Sequence, residues 1–377
     1  MTILHIIPSF APAWSYGGSV QSAYFLCMEL ARNGNLVRVL TTNSNGLGKD
    51  LTITPDCEHE LVKRLQVRYC RRLLRHSISF SFLKALPSYL RQAQVVHLTG
   101  VYSFPTLPVL FLCQQWGIPV VWSPRGGFQR WSGSRRVWLK SGWEIFCKIL
   151  LPKNLTLHLT SDGEATESLE KFPGVSTSVI PNGVEIPEAL HHTKENGVLR
   201  LLYLGRLDKK KGIENLLLAC HRLKEKQQQS FKLTIAGEGL ESYALSLRKL
   251  ASAHGLNPHV NFVGHVDNKQ KRSLFEQTDL TIVPSYTENF GIVVAESLSY
   301  GIPVVASTGT PWKRMEEIGC GLWVSNDPDS LSQALAHMSS MNLSEMGLRG
   351  RLWMEQEFSW GAIAKRMGDL YERHISA

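Results

Sequence analysis

The sequence has no C-x-x-C pair. Its seven cysteines, at positions 27, 57, 70, 113, 147, 220 and 320, are scattered and odd in number. That argues against a disulfide framework or a zinc site and for a reducing compartment, the cytoplasm. No basic start followed by an apolar stretch is present, so no secretory leader is expected. A bilayer-spanning helix needs about 20 apolar residues. The most apolar long segment, Val95–Trp122, is broken by Pro105, Pro108, Gln114, Gln115 and Gly117. There is no G-x-G-x-x-G and hence no nicotinamide fingerprint, no repeat at a solenoid period and no low-complexity tract.

What is present is an ordinary globular composition, 43% apolar and 19% charged, in 377 residues, enough for two domains that each bury a core. The charge is lopsided. Residues 1–186 hold 19 Lys and Arg against 11 Asp and Glu, whereas residues 187–377 hold 22 against 21. Nearly all of the net +9 therefore lies in the first half, which suggests an anionic partner: a membrane surface, a nucleic acid or a phosphorylated substrate.

Apolar strand-like runs alternate with helix-like segments along the whole chain. Ile3–Ile7, Leu36–Leu40, Val95–Leu98, Ile118–Trp122, Leu155–Leu159 and Ser178–Ile180 form one series. Leu199–Leu204, Phe231–Ala236, Val260–Val263, Leu280–Val283 and Val304–Ala306 form a second. Continuous apolar runs joined by helices predict parallel sheets covered on both faces, an α/β chain of two Rossmann-like, doubly wound domains. Pro181-Asn182-Gly183-Val184 reads as a turn and Glu188–Gly197 as polar and irregular. The first domain is expected over 1–183, a linker over 184–198 and the second domain over 199–359. The terminal helix, 360–375, is expected to pack back on the first domain.

Doubly wound sheets bind ligands at the carboxyl ends of their strands, where helix N-termini offer free amides. After the first strand comes Tyr16-Gly17-Gly18, where a backbone can approach a phosphate closely or simply turn. The first strand of the second domain leads into Leu204-Gly205-Arg206-Leu207-Asp208-Lys209-Lys210-Lys211-Gly212. A guanidinium at a strand end can neutralise a diphosphate, whereas three consecutive lysines ordinarily make a solvated turn. The stretch SYTENFGIVVAES, Ser285–Ser297, follows another apolar strand. Asn289 can cap the next helix and Gly291 permits close approach, leaving the amides of 290–292 open. Glu288 and Glu296 can reach polar ligand groups, or favour a helix N-terminus through its dipole.

Glu288 and Glu296 form an E-x7-E motif, preceded by Gly205, Arg206, Lys211 and Gly212 as G-R-L-x4-K-G. With Ile180-Pro181-Asn182-Gly183-Val184 and Ala236-Gly237-Glu238-Gly239, this order and spacing resembles the family-4 retaining glycosyltransferases of GT-B fold, including members that build bacterial surface polysaccharide. The resemblance runs over nearly the whole chain. It implies two domains facing across a cleft and no cofactor or essential metal, the nucleotide sugar being a substrate. It also implies that Arg206 and Lys211 grip the donor diphosphate. Glu288 and the backbone of Asn289, Phe290, Gly291 and Ile292 would hold the sugar and its nearest phosphate. Glu296 would take the ribose hydroxyls, the base would lie near Gly264 and His265, and Gly17 and Gly18 would bring first-domain amides to the same diphosphate. Glu288, Arg206 and Lys211 would be the catalytic set.

Two features depart from the family pattern. Many members have His-Gly where this chain has Ser123-Pro124-Arg125-Gly126-Gly127. Arg125 cannot act as a base, its pKa exceeding about 12; it is expected to contact an anionic acceptor or donor phosphate, or to be structural. His97 could line the ligand site or be a hydrogen-bonded core residue. Asp327-Pro328-Asp329 imitates a metal motif of another fold but reads as a helix cap. Two basic-aromatic segments remain: Lys63, Arg64, Arg68, Arg71, Arg72 and Arg75 beside Phe80 and Phe82, and Arg130, Trp131, Arg135, Arg136, Trp138, Lys140, Trp143 and Phe146. In the second, Trp138, Gly142, Ile145, Phe146 and Ile149 share a helical face, as an interfacial helix or a helix packed on a core would.

The expected activity is transfer of a sugar from a nucleotide-diphosphate sugar to a lipid-linked saccharide in surface-polysaccharide synthesis. The enzyme would work in the cytoplasm, on or near the anionic inner membrane face. Alternatives are a nucleotide-sugar epimerase of the same fold, a basic protein that binds nucleic acid or membrane without catalysis, and a degenerate donor-binding protein. The basic residues carry no nucleic-acid recognition motif, so no nucleic-acid partner is expected.

Overall fold

A computed structural model describes residues 1–46, 48–74, 77–128, 137–188, 197–226 and 230–376. The chain divides into two compact units, Met1–Gly183 with Trp360–Ala377, and Val184–Ser359.

The first unit carries β1 (Thr2–Ser9), β2 (Leu36–Thr42), β3 (Glu58–Val62), β4 (Leu65–Cys70), β5 (Val95–Thr99), β6 (Val120–Ser123), β7 (Leu155–Leu159) and β8 (Ser176–Val179). They form one sheet in the order β3-β4-β2-β1-β5-β6-β7-β8. Only β3 runs antiparallel to its neighbour, β4. The helices are α1 (Gly18–Arg32), α2 (Phe80–Leu90), α3 (Thr106–Trp116), α4 (Val137–Ile149) and α5 (Asp162–Lys171). Because side chains alternate along a strand, each strand feeds two cores. Ile3 and Ile7 pack with Val37, Val39 and the apolar face of α1, while Leu4 and Ile6 pack with Phe82, Leu86 and Leu110 from α2 and α3. Every residue of β5, β6 and β7 is buried, as expected where helices cover both faces.

The second unit carries β9 (Leu199–Leu204), β10 (Phe231–Ala236), β11 (Val260–Gly264), β12 (Leu280–Val283), β13 (Val304–Ser307) and β14 (Gly321–Val324). The order is β11-β10-β9-β12-β13-β14 and all pairs are parallel. Its helices are α6 (Ile213–Glu225), α7 (Glu241–Ala253), α8 (Asn268–Glu276), α9 (Ile292–Ser299), α10 (Met315–Ile318), α11 (Pro328–Ser339) and α12 (Leu343–Trp353). The last helix, α13 (Trp360–Ile375), belongs to the first unit. Its buried residues, Ile363, Ala364, Met367, Leu370 and Tyr371, follow the helical period and enter the core beside α1.

Each sheet reverses its strand order once near the middle: between β1 and β5 in the first, between β9 and β12 in the second. A crevice opens at such a reversal because the two flanking connections leave the sheet on opposite faces. Both concavities described below lie there.

Three features lie outside the sequence expectation. The β3–β4 hairpin is short and mostly polar on β3, with little apolar periodicity, and β14 is only four residues long. Val184, placed in the linker, is buried in the second unit's apolar cluster and donates its amide to the Phe358 carbonyl at 2.8 Å. Residues 189–196 of that linker fall outside the described residues.

Candidate active site

The second unit builds its site from two loops. Beyond β9, Asp208 caps the short turn Lys209–Lys211 by accepting the Lys210 amide at 3.0 Å. Gly212 then starts α6 with φ +63°, and a Cβ there would stand 2.1 Å from the Pro284 carbonyl oxygen. Only glycine fits, so the loop after β9 lies directly against the loop after β12. The Tyr286 amide donates to the Lys210 carbonyl at 2.8 Å and closes the seam.

This contact brings together residues that are far apart in sequence. The Lys211 ammonium donates to Glu288 Oε1, the two side chains being 18% and 13% exposed, and Ser285 Oγ donates to the same oxygen at 2.7 Å. Arg206 is exposed at the end of the strand and has no carboxylate partner among the described residues. Gly205, Arg206, Lys210, Lys211, Ser285 and Glu288 line a concavity of about 230 Å³, with Gly291, Ile292 and Val293 on its far wall. Gly291 is the N-cap of α9 in the left-handed conformation, and the Val294 amide returns to its carbonyl at 2.9 Å. By ordinary helix geometry the amides of Ile292 and Val293 have no intrahelical acceptor.

Three cations and a helix N-terminus around one small concavity form an anion site suited to a diphosphate. Lys210 was missed in the sequence, where it reads as part of a solvated turn. It lines the concavity, and its ammonium is held below the usual lysine range by burial, with Lys211 adding and Glu288 opposing. A group so placed gains from an incoming negative charge.

The remaining second-unit residues divide. Asn289 does not cap α9; Gly291 does, because its left-handed turn carries the chain into the helix. The Phe290 side chain is buried against Trp312 and Phe358, so only its backbone is available to a ligand, and its carbonyl already accepts from Trp312 Nε1. Glu296 sits in the second turn of α9 and pairs with Lys271 of α8 at 2.7 Å. Gly264 ends β11 with φ +75°, and its carbonyl accepts the Gly237 amide at 2.7 Å. Asp327 caps α11, accepting the amides of Asp329 and Ser330 at 3.0 and 2.9 Å.

In the first unit a concavity of about 350 Å³ opens at the ends of β1 and β5, lined by Ser9, Tyr16, Ser19, Thr99, Tyr102 and Arg125 among others. Gly17, with φ +72°, is the N-cap of α1 and Gly18 its first residue. The amides of Val20 and Gln21 return to the Gly17 carbonyl, while those of Gly18 and Ser19 have no intrahelical acceptor. Arg125 donates from Nη1 to Asn182, its Nε is buried without a partner, and burial lowers its pKa against the pull of Glu164.

His97 does not line this concavity. It is fully buried on the α13 side of the sheet, stacked on His5 with ring centroids 4.4 Å apart. A continuous chain of hydrogen bonds fixes its tautomer. His158 Nε2–H donates to the Ile180 carbonyl at 2.9 Å, so its Nδ1 accepts from Ser123 Oγ at 2.6 Å. Ser123 then accepts from His97 Nε2–H at 2.7 Å, and His97 Nδ1 accepts from the Tyr371 hydroxyl. Every proton of this chain is committed, which leaves His97 and His158 neutral; His5 lies outside it, bonded to Thr99 Oγ1 at 3.0 Å. Burial, with Arg125 adding, pushes His5 and His158 down to about 3; burial first, then the neighbouring histidines, pushes His97 the same way. The reading of His97 as a ligand residue is therefore corrected to a core residue.

The basic-aromatic segments also separate. In the first, Arg72 is pinned to the loop at 44–50 through Ser44, Gly46, Lys49 and Asp50, Arg64 donates to the Gly34 carbonyl, and Phe82 is core. These side chains hold structure together rather than offering free charge. Arg75 lies outside the described residues, as do Arg130, Trp131, Arg135 and Arg136 of the second segment. Within α4 the apolar face points outward: Trp138 is 75% exposed and Ile149 64%, while Glu144 is buried and accepts from the Tyr102 hydroxyl.

Two parallel-sheet α/β units, each with its candidate site at a reversal of strand order, define the GT-B class. The comparisons agree. A family model described as Glycosyltransferase Family 4 matches residues 16–187, and one described as Glycosyl transferases group 1 matches residues 189–349. The chain belongs to glycosyltransferase family 4. An uncharacterized glycosyltransferase of Methanocaldococcus jannaschii is 32% identical over 181 residues, 46% of this chain and 44% of that protein. The GDP-mannose:cellobiosyl-diphosphopolyprenol alpha-mannosyltransferase of Xanthomonas oryzae pv. oryzae is 26% identical over 87% of this chain and 84% of its own. Among solved structures, sucrose-phosphate synthase from Thermosynechococcus elongatus superimposes with a TM-score of 0.79 at 21% identity, covering 100% of this chain and 99% of that one. The chain spans less than half the length of the first curated relatives it matches. No helix among the described residues is long and apolar enough to cross a membrane.

Proposed function

We propose that the protein transfers a sugar, with retention and without a metal, from a nucleotide-diphosphate sugar to a hydroxyl of a lipid-linked saccharide. The observation that carries this reading is the meeting of Arg206, Lys210, Lys211 and Glu288 around one concavity at the N-terminus of α9. When the bond from the anomeric carbon to the phosphate oxygen breaks, its electron pair stays with the diphosphate. Fixed cations and amides that meet this developing charge lower the barrier, because they are stronger partners in the transition state than in the ground state. The acceptor oxygen bonds to the anomeric carbon from the same face, and its proton passes to the departing phosphate oxygen. Glu288 accepts from the donor sugar's hydroxyls and Glu296 from the ribose.

The acceptor reading rests on the first unit. Arg125 offers a buried guanidinium at the first-unit concavity, suited to a phosphate of a lipid diphosphate. The outward apolar face of α4 carries Trp138, Ile145 and Phe146 with Lys140 and Lys148 alongside, the pattern of a helix lying at an anionic membrane surface. The relative from Xanthomonas is named for a diphosphopolyprenol acceptor, which supports the same class here. We place the reaction at the cytoplasmic face of the membrane, in surface-polysaccharide synthesis.

The test is a panel of nucleotide sugars scored by thermal shift, then incubation of the stabilising donor with and without a polyprenyl-diphosphate saccharide. Sugar transfer only with acceptor is expected. Conversion of donor alone would replace transfer by epimerisation, and absence of a stabilising donor would remove the enzymatic reading. Co-sedimentation with phosphatidylglycerol vesicles should be salt-sensitive and weakened by Trp138→Ala with Phe146→Ala; equal binding by the variant would remove α4 from the membrane contact.

A further inference from the structure

The two motif glutamates are not left alone in the second unit: each has a lysine. Lys211 on Glu288 belongs to the diphosphate site. Lys271 on Glu296 belongs to none of the motifs, and its helix is the one that follows β11.

Both ends of this second pair are held firmly. α8 begins with a reciprocal cap in which Asp267 and Gln270 each accept the other's backbone amide, at 2.8 and 2.9 Å. Lys271 is the next residue, and its own amide donates to the Asp267 carbonyl at 2.8 Å. Phe275 of α8 stacks on Tyr300, just beyond α9, with centroids 4.7 Å apart, which sets the spacing of the two helices. Across that spacing Lys271 Nζ reaches Glu296 Oε1 at 2.7 Å, the side chains being 23% and 14% exposed. Glu296 Oε2 has no hydrogen-bond partner among the described residues. A second carboxylate, Glu185, is close enough to feel both charges. Burial raises its pKa, with Glu296 adding and Lys271 opposing.

A glutamate on a helix surface has three rotatable bonds, so a free one points nowhere in particular. A ribose offers two vicinal hydroxyls at fixed separation, and reading them requires an acceptor held in one plane. Immobilising one carboxylate oxygen fixes the other. We propose that Lys271 is a positioning residue for the nucleoside: it fixes Glu296 so that the free oxygen accepts from the ribose 2′-hydroxyl, making the site selective for ribonucleotide over 2′-deoxyribonucleotide donors. This rests on the assignment of Glu296 to the ribose given above.

The experiment measures dissociation constants of UDP, GDP and ADP, and of their 2′-deoxy counterparts, by calorimetry on the full chain. Melting temperatures of each variant are recorded alongside. A hydrogen bond to a charged acceptor makes a difference of about tenfold or more, so the tightest ribonucleotide should exceed its deoxy form by at least that. Lys271→Met should reduce this preference to about twofold or less. Lys271→Arg should restore the preference, which a merely structural tie would not require. A Lys271→Met protein that melts earlier but keeps the native preference would overturn the proposal. If Lys271→Met does not fold, Lys271→Gln carries the same comparison. If Glu296→Gln keeps the preference, or none of the three nucleotides binds, it is the assignment of Glu296 or the donor site itself that falls.

Discussion

At the reversal between β9 and β12, charged side chains leave the sheet on short loops and gather around a concavity: Arg206, Lys210 and Lys211 lie with Glu288, whose Oε1 accepts from both Lys211 and Ser285. At the reversal between β1 and β5, the titratable groups stay inside the strands. His5 and His97 stand on the paired strands β1 and β5 and His158 on β7, on one face of the sheet sealed by α13, with His97 and His158 linked through Ser123 and His97 bonded to Tyr371. The same topology thus carries a solvent-facing anion site in one unit and a neutral buried chain in the other. The difference is one of dielectric. Loop charges at the mouth of a concavity keep part of their hydration and stay available to a ligand, whereas a ring enclosed on both sides is worth keeping only without its second proton.

The sharpest way to break this contrast is to remove the most exposed cation. Arg206→Ala should lower turnover by about 10²–10³ at saturating donor, with little change in melting temperature. Turnover near that of the native protein would remove Arg206 from the reacting charge. In the other unit the large effect should be on stability. Tyr371→Phe leaves His97 Nδ1 without its donor in a dry core, at a cost of about 1–3 kcal/mol. Nucleotide affinity in the second unit should stay put, and a matching fall in affinity would show that the units are not independent in this respect.

Acid should find the same weakness. The unfolded chain binds protons to these histidines near pH 6.5, whereas folded His5 and His158 do so only at about 3. Between those values the unfolded state holds more protons, so stability falls as pH falls, by up to about 1.4 kcal/mol per pH unit for each ring. Melting temperature measured from pH 7 to 4 should decline, and less steeply in His158→Gln. A slope unchanged by that substitution would contradict the neutral chain. The smallest effect is expected from EDTA. With three cations and helix amides to meet the leaving diphosphate, activity should survive the chelator; complete loss, restored by a divalent ion, would overturn metal-free transfer.

The contrast also explains what could be read in the sequence. Arg206, Lys211, Glu288 and Glu296 stand at fixed distances from glycines and strand ends, which is what carried the family resemblance; the fold brings the first three of them to one concavity. Lys210 was lost between two identical neighbours, because sequence does not say which of three lysines turns inward. The helical face of α4 was visible as a periodicity, but a period gives a face and not its direction; the buried Glu144 settles that Trp138 and Ile149 look outward. The histidines were hardest. Each sits in an unremarkable apolar strand, and only the register of parallel strands, set by residues far apart in the chain, lines them up. Lys271 escaped for the same reason, since its partner lies on the next helix.

α13 has a consequence for how the protein is made. Its Met367, Leu370 and Tyr371 plug a core otherwise formed by residues before Gly183. A ribosome has therefore to deliver the whole of the intervening unit before the earlier one can close. During that interval the apolar face of α1 lacks the partner that α13 supplies. A shortened product ending before Trp360 would leave the older half of the molecule, rather than the newer, unable to finish.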